Sequence, residues 1–196
     1  MTKEFDYTKL NTIYKGIEEY CKNCNKCCFT YGWILSSERK MYEKITDLIT
    51  INNEVECFDS FHRDEKGQIV LEKIPRCKFY RNRQCTIHKL KPFDCFLYPV
   101  KILYNANKKV FDIVISLDCP FIKSLDKKEM KILINKFLHH FEELPKELRE
   151  EYLDIVEKWA KITRPKSFDH IKIAEITKTS SFYTSPHTSL HTPQTT

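Results

Sequence analysis

Glycine is scarce. Gly16, Gly32 and Gly67 are the chain's three, and they lie too far apart to form a Gly-rich phosphate loop or a dinucleotide fingerprint. No ordinary Rossmann nucleotide or methyl-donor site is therefore expected. No apolar run reaches the roughly 18 residues a membrane span needs, and surface association stays open. The opening Met-Thr-Lys-Glu-Phe-Asp-Tyr is charged, without an apolar h-region or a small-residue cleavage site, so the expected location is the cytoplasm. There is no internal repeat, and a net charge of +6 is too modest to imply nucleic acid by itself. With 41% hydrophobic residues and 13% aromatics over 196 residues, the chain has material for one core with appendages.

Cysteine is abundant instead. Cys21-Lys-Asn-Cys24-Asn-Lys-Cys27-Cys28 puts four thiols within eight residues, and Cys57, Cys77, Cys85, Cys95 and Cys119 bring the number to nine, which cannot all pair as disulfides. Disulfides seldom persist in a reducing compartment, whereas thiolates two residues apart wrap one ion or one iron–sulfur cluster without strain. Vicinal Cys27 and Cys28 point to opposite sides of an extended segment, so they favour two sites, or one site and a spare thiol.

Periodicity predicts an α+β fold. Leu10, Ile13, Tyr14 and Ile17 keep helical spacing and lead into Cys21; Ser37-Glu38 reads as a helix start, with Met41, Ile45 and Leu48 on its apolar face. Residues 68–74, 100–104 and 110–115 read as strands, the last two joined as a hairpin across Asn105–Lys108. Asp126 and Glu129 have the spacing of a capping box ahead of a stripe of Met130, Leu133, Ile134, Phe137, Leu138 and Phe141. Pro145 opens a second helix carrying Leu148, Tyr152, Ile155 and Trp159, ended by Thr163-Arg-Pro165. Both stripes are read as packing faces. The expected organisation is a cysteine-cluster domain with its N-terminal helix over 1–123, a helical hairpin over 124–165, and a linker with a disordered tail over 166–196. Ten of the last eighteen residues are Ser or Thr, and His187 and His191 there are read as solvated.

Cys77, Cys85, Pro92, Cys95, Tyr98-Pro99 and Cys119-Pro120 complete a pattern opened by the four clustered cysteines. Over roughly residues 21 to 121 the chain resembles the CxxCxxCC (YkgJ-type) cysteine-cluster family of zinc- or iron-chelating proteins. The resemblance implies Cys21, Cys24, Cys27, Cys28, Cys77, Cys85, Cys95 and Cys119 as metal ligands and gives Cys57 no counterpart. It also has departures: His88 stands where the family usually has tyrosine, Lys91 and Phe96 where it has arginines, and Phe121 where glycine often follows Cys-Pro. No thiol is lost, but an activity dependent on those arginines is not implied. Some of the family resemble flagellin lysine-methylase, which implies a cluster-dependent protein modification as one conceivable role; no region here matches a substrate-handling domain.

Iron–sulfur and zinc both remain open as the cofactor. C-x2-C-x2-C with a remote Cys-Pro leans to iron–sulfur, whereas structural zinc uses two C-x2-C pairs; the spacing is not the C-x3-C-x2-C of radical S-adenosylmethionine enzymes. Between Lys73 and Phe93 stand Lys73, Arg76, Lys78, Arg81, Arg83, Lys89 and Lys91 with no acid. Such a stretch with Phe79 and Tyr80 suits nucleic acid, but neutralising a thiolate-rich centre is the preferred reading, because the charges bracket the cysteines. A protein partner is left open. One site is expected to be incompletely ligated and approachable beside Tyr98-Pro99, with His88, Lys89 and Lys91 at its mouth.

Overall fold

The computed structural model describes residues 12–21, 24, 32–71, 73, 76–82, 84–163 and 168–178. Leu10, Cys27, Cys28, Arg83, His187, His191 and the Ser/Thr-rich stretch lie outside them. The architecture is α+β, with helices around small antiparallel sheets.

The helical register ahead of Cys21 buries Ile13, Tyr14 and Ile17 as the spacing predicts, yet it is interrupted. Gly16 sits at φ +87, where a residue with a Cβ is strained, and the helix restarts as α1, Ile17–Cys21. The second helix, α2, Ser36–Tyr42, starts where expected but turns a different face inward. Glu38 and Tyr42 are buried, whereas Met41 and Ile45 face solvent and Leu48 belongs to the next strand. The helix is too short to carry the expected stripe, and Tyr42 is held inside by donating its hydroxyl to the Leu90 carbonyl at 2.6 Å.

Strands β1, Leu48–Ile51, and β2, Val55–Phe58, pair antiparallel. Asn52 and Asn53 both take positive φ in the connecting turn, a conformation asparagine tolerates well. The strand expected over 68–74 is not formed among its described residues, where Ile69 makes only an isolated bridge to Arg63. A two-residue hairpin follows, β3, Tyr80–Arg81, and β4, Gln84–Cys85. After a 3-10 turn over His88–Leu90 comes α3, Phe93–Leu97, then a cis Tyr98-Pro99 peptide.

The expected hairpin is present as β5, Val100–Asn105, and β6, Val110–Ser116, in unbroken antiparallel register. Cys119 precedes α4, Pro120–Ser124. Next, α5, Lys127–Glu142, opens on the capping box: Glu129 N–H donates to Asp126 at 2.7 Å and Asp126 N–H to Glu129 at 2.9 Å. Met130, Leu133, Phe137 and Phe141 are buried, as are Leu148, Tyr152, Ile155 and Trp159 of α6, Lys146–Ile162. A seventh strand, β7, His170–Ile176, arises in the stretch expected to be linker and pairs with β6, completing the order β5-β6-β7 with a bulge at Ile113/Val114. Helix α6 packs across β5 and β2, so one core holds both helical stripes, the three-stranded sheet and the β1–β2 hairpin. No described helix is long and apolar enough to cross a membrane.

Candidate metal centre

The described cysteines are thiols, and they divide by position. Cys57 lies inside the β1–β2 hairpin at 0% exposure, its Sγ 3.9 Å from the Ile49 carbonyl oxygen. Burial, with Asp59 and Glu56 nearby, pushes its pKa up to about 12, so it stays a protonated thiol and a poor metal ligand. The others, Cys95 excepted, sit at or beside the ends of elements. Cys21 closes α1, with the Cys24 N–H donating to its carbonyl at 3.2 Å; Cys77 and Cys85 flank the β3–β4 hairpin; Cys95 is in α3; and Cys119 caps α4. All are half-buried except Cys119, which is buried.

Two sets of contacts draw these segments toward α3. On one side, the hairpin is pinned through Phe79, whose ring meets Phe58 edge-on at 5.0 Å, and Phe58 meets Tyr42 at 5.1 Å. A Cβ placed on Gly32 would stand 3.1 Å from Phe58 Cδ2 and 3.8 Å from Cys95 Sγ. Glycine there lets the backbone pass close to the Phe58 ring, with the Cys95 thiol nearby. On the other side, Tyr14 donates its hydroxyl to the Leu97 carbonyl at 2.8 Å, tying the N-terminal turns to the end of α3. Burial first, then the adjacent Cys119 sulfur, hold the Tyr14 pKa well above its usual value. Tyr20 meets Phe121 edge-on at 5.6 Å, bringing α1 against α4 and the Cys21 and Cys119 segments onto one side of the fold.

Among the described residues, no three cysteines bring their sulfurs within 4.8 Å of one another; His139, His140 and Glu143 are the group that meets this criterion. Cys27 and Cys28, which belong to the expected ligand set, lie outside the described residues. The donors suit the expected metals all the same: eight thiols match four-coordinate zinc or an iron–sulfur cluster.

Two acids at the start of α3, Glu38 buried against it and Asp94 half-buried within it, carried no sequence signal of their position. Glu38 is 3% exposed and uses both oxygens, accepting from Leu35 N–H at 3.0 Å and from Phe93 N–H, the first of α3, at 2.8 Å. Burial raises its pKa to about 7 against the pull of those two N–H groups, with Asp94 and Glu151 adding to the rise. Asp94 accepts from the Tyr152 hydroxyl at 2.7 Å; burial raises its pKa to about 6, while that bond, Lys101 and the Trp33 N–H work to lower it.

The basic residues answer this charge locally. Lys91 lies 4.7 Å over the Phe96 ring, and Lys101 lies 4.3 Å over Phe168 and 5.8 Å over Tyr98. Arg76 covers Tyr80 at 5.4 Å, and Phe79 is taken up by Phe58. His88 is half-buried; burial first, then Lys91, lower its pKa, with Glu18 of α1 opposing, so its imidazole is neutral at ordinary pH.

Residues 20–128 match the family model CxxCxxCC, described as a putative zinc- or iron-chelating domain. No curated protein and no solved structure matches the chain.

Proposed function

The chain belongs to the CxxCxxCC family, and from that membership we propose that it holds an iron–sulfur cluster, in preference to zinc, through cysteines drawn from Cys21, Cys24, Cys27, Cys28, Cys77, Cys85, Cys95 and Cys119. The observation that carries the reading is the contrast among the thiols. Cys57, which the family pattern lacks, is sealed in the hairpin and kept protonated, whereas the described family cysteines lie in and beside α1, on the β3–β4 hairpin, in α3 and at the start of α4. C-x2-C-x2-C with a remote Cys-Pro favours the cluster over a zinc ribbon.

The chain's own residues then have distinct tasks. Glu38 fixes the start of α3 and so the bearing of Cys95; Tyr14 fixes its end against the Cys21 and Cys119 segments. Lys91 and Lys101 offset the negative charge that thiolates and Asp94 accumulate. A cluster bound there would supply one-electron exchange, which suits a redox role or a protein-modifying one. Protein purified without oxygen is expected to carry iron with roughly equal acid-labile sulfide and a brown colour. Colourless protein with stoichiometric zinc, even after reconstitution with iron and sulfide, ends this reading in favour of a zinc-stabilised binding module.

Nucleic-acid binding by the basic stretch is disfavoured because two of its aromatic rings already have partners within the fold, Phe79 in Phe58 and Tyr80 in Arg76. Replacing Arg81, Arg83 and Lys91 together with Gln is expected to lower metal retention or shift the reduction potential to more negative values, since cations stabilise the more reduced, more negative state. Salt-dependent binding of single-stranded RNA by the parent protein, lost in this variant with metal content unchanged, would reverse the assignment.

A further inference from the structure

The geometry points to a second metal site, built from His139, His140 and Glu143 at the C-terminal end of α5 and made of nitrogen and oxygen donors rather than sulfur. It lies beyond residues 20–128 and does not depend on the cysteine centre. One ligand atom from each of the three side chains falls within 4.8 Å of the other two. His139 Nε2 is 3.5 Å from Glu143 Oε1, and His140 Nδ1 is 3.9 Å from Glu143 Oε2. A tetrahedral ion with bonds of roughly 2.1 Å spaces its ligand atoms about 3.4 Å apart. The two imidazole–carboxylate separations are close to that spacing and too wide for good hydrogen bonds, so small side-chain adjustments would bring the three donors onto one ion.

Ordinary i,i+4 pairing on a helix accounts for His139 and Glu143, both of which are more than half exposed. It does not account for His140. That Nδ1 is sealed from solvent, has no hydrogen-bond partner and faces the carboxylate at a distance where a neutral imidazole nitrogen gains nothing. A cation between the two groups satisfies both. The backbone supports the placement: His139 and His140 are in the last turn, the Glu143 N–H donates to the His139 carbonyl at 3.1 Å, and the negative end of the helix dipole favours positive charge there. Two imidazoles and one carboxylate select a borderline divalent ion such as Zn²⁺ over Mg²⁺ or Ca²⁺, which prefer all-oxygen shells, and over Cu⁺, which prefers sulfur. The exposure of His139 and Glu143 leaves a coordination position for water.

The test is a zinc titration of the full chain, purified with its cysteine centre loaded, followed through the imidazole NMR signals of its seven histidines. The His139 and His140 rings are expected to shift together and saturate at one zinc beyond the complement the cysteines hold. His139→Asn with His140→Asn should abolish that extra equivalent. Glu143→Gln should weaken it on the order of tenfold or more, since even outer-sphere losses cost that much, while Glu142→Gln one residue away should leave it unchanged. Because Glu143 is exposed, its variant should retain the parent circular dichroism spectrum. Zinc that leaves the two rings unmoved, shifts His62, His88 and His170 equally, or binds Glu143→Gln as tightly as the parent overturns the site.

Discussion

Replacing Cys95 with Ser is expected to strip metal from the protein and to destabilise it by on the order of 5 kcal/mol, because free energy of metal binding at such a site is also free energy of folding. Ser keeps the size of the side chain but not its affinity for a soft ion. Cys119→Ser should behave alike, since Cys119 caps α4 beside Tyr14 and holds its position on the opposite flank. The matched control is Cys57→Ala. It opens a small cavity at a 0% exposed position between β1 and β2, which should cost about 1 kcal/mol, yet metal content should stay at the parent level. Metal analysis and urea unfolding on the same anaerobic samples separate the two effects. If Cys57→Ala empties the protein as fully as Cys95→Ser, the division of the cysteines used here is wrong.

That division rests on spacing and on a pattern in the sequence, whereas burial was legible only where periodicity was long. Sixteen residues of α5 repeat their apolar positions often enough to fix the buried face, and Asp126 and Glu129 announce its start. Seven residues of α2 do not; Met41 and Ile45 suggested an inward face, but the helix ends at Tyr42, before Ile45, and Glu38 and Tyr42 turn inward with backbone partners for their carboxylate and hydroxyl. The β1–β2 hairpin had a signal in Asn52-Asn53 between two β-rich tetrapeptides, obscured by assigning Leu48 to a helix. Strand β7 had one too, in the alternation of Ile171, Ile173 and Lys172, obscured by the polar composition that follows it. The run from Gln68 fails for the opposite reason: among its described residues only Ile69 finds a partner, in an isolated bridge to Arg63, and an unpaired strand has nothing to hold it. The two acids at the start of α3 are a matter of tertiary placement alone, and no local pattern marks a glutamate that caps another segment 55 residues away.

Glu38 gives the second large effect, and its sign is unusual for a carboxylate. Its pKa is raised from 4.5 to about 7 in the folded protein, so the folded state binds the proton more tightly than the unfolded chain does. Stability from this group is therefore fully present below about pH 4.5, falls as pH rises between 4.5 and 7, and levels off above 7. A shift of this size corresponds to roughly 3 kcal/mol across that window. Metal release has the reverse dependence, because protons compete for the thiolates, so the parent curve alone does not isolate Glu38. The difference between parent and Glu38→Gln does. Gln removes the ionisation but keeps one carbonyl for two N–H donors, so the variant should gain on the parent as pH rises from 5 to 8, after an offset of about 1 to 3 kcal/mol for the N–H left opposing its amide. Glu38→Ala leaves both Leu35 and Phe93 N–H unanswered in the interior, and it should lose metal as well as stability, since nothing then anchors the first turn of the helix that carries Cys95. Urea midpoints at pH 5, 6, 7 and 8 for parent and Glu38→Gln, with metal content measured at each pH, decide the matter. A parent–variant difference that does not change with pH would mean that Glu38 is ionised alike in the folded and unfolded chain, and that the two N–H donors fully offset its burial.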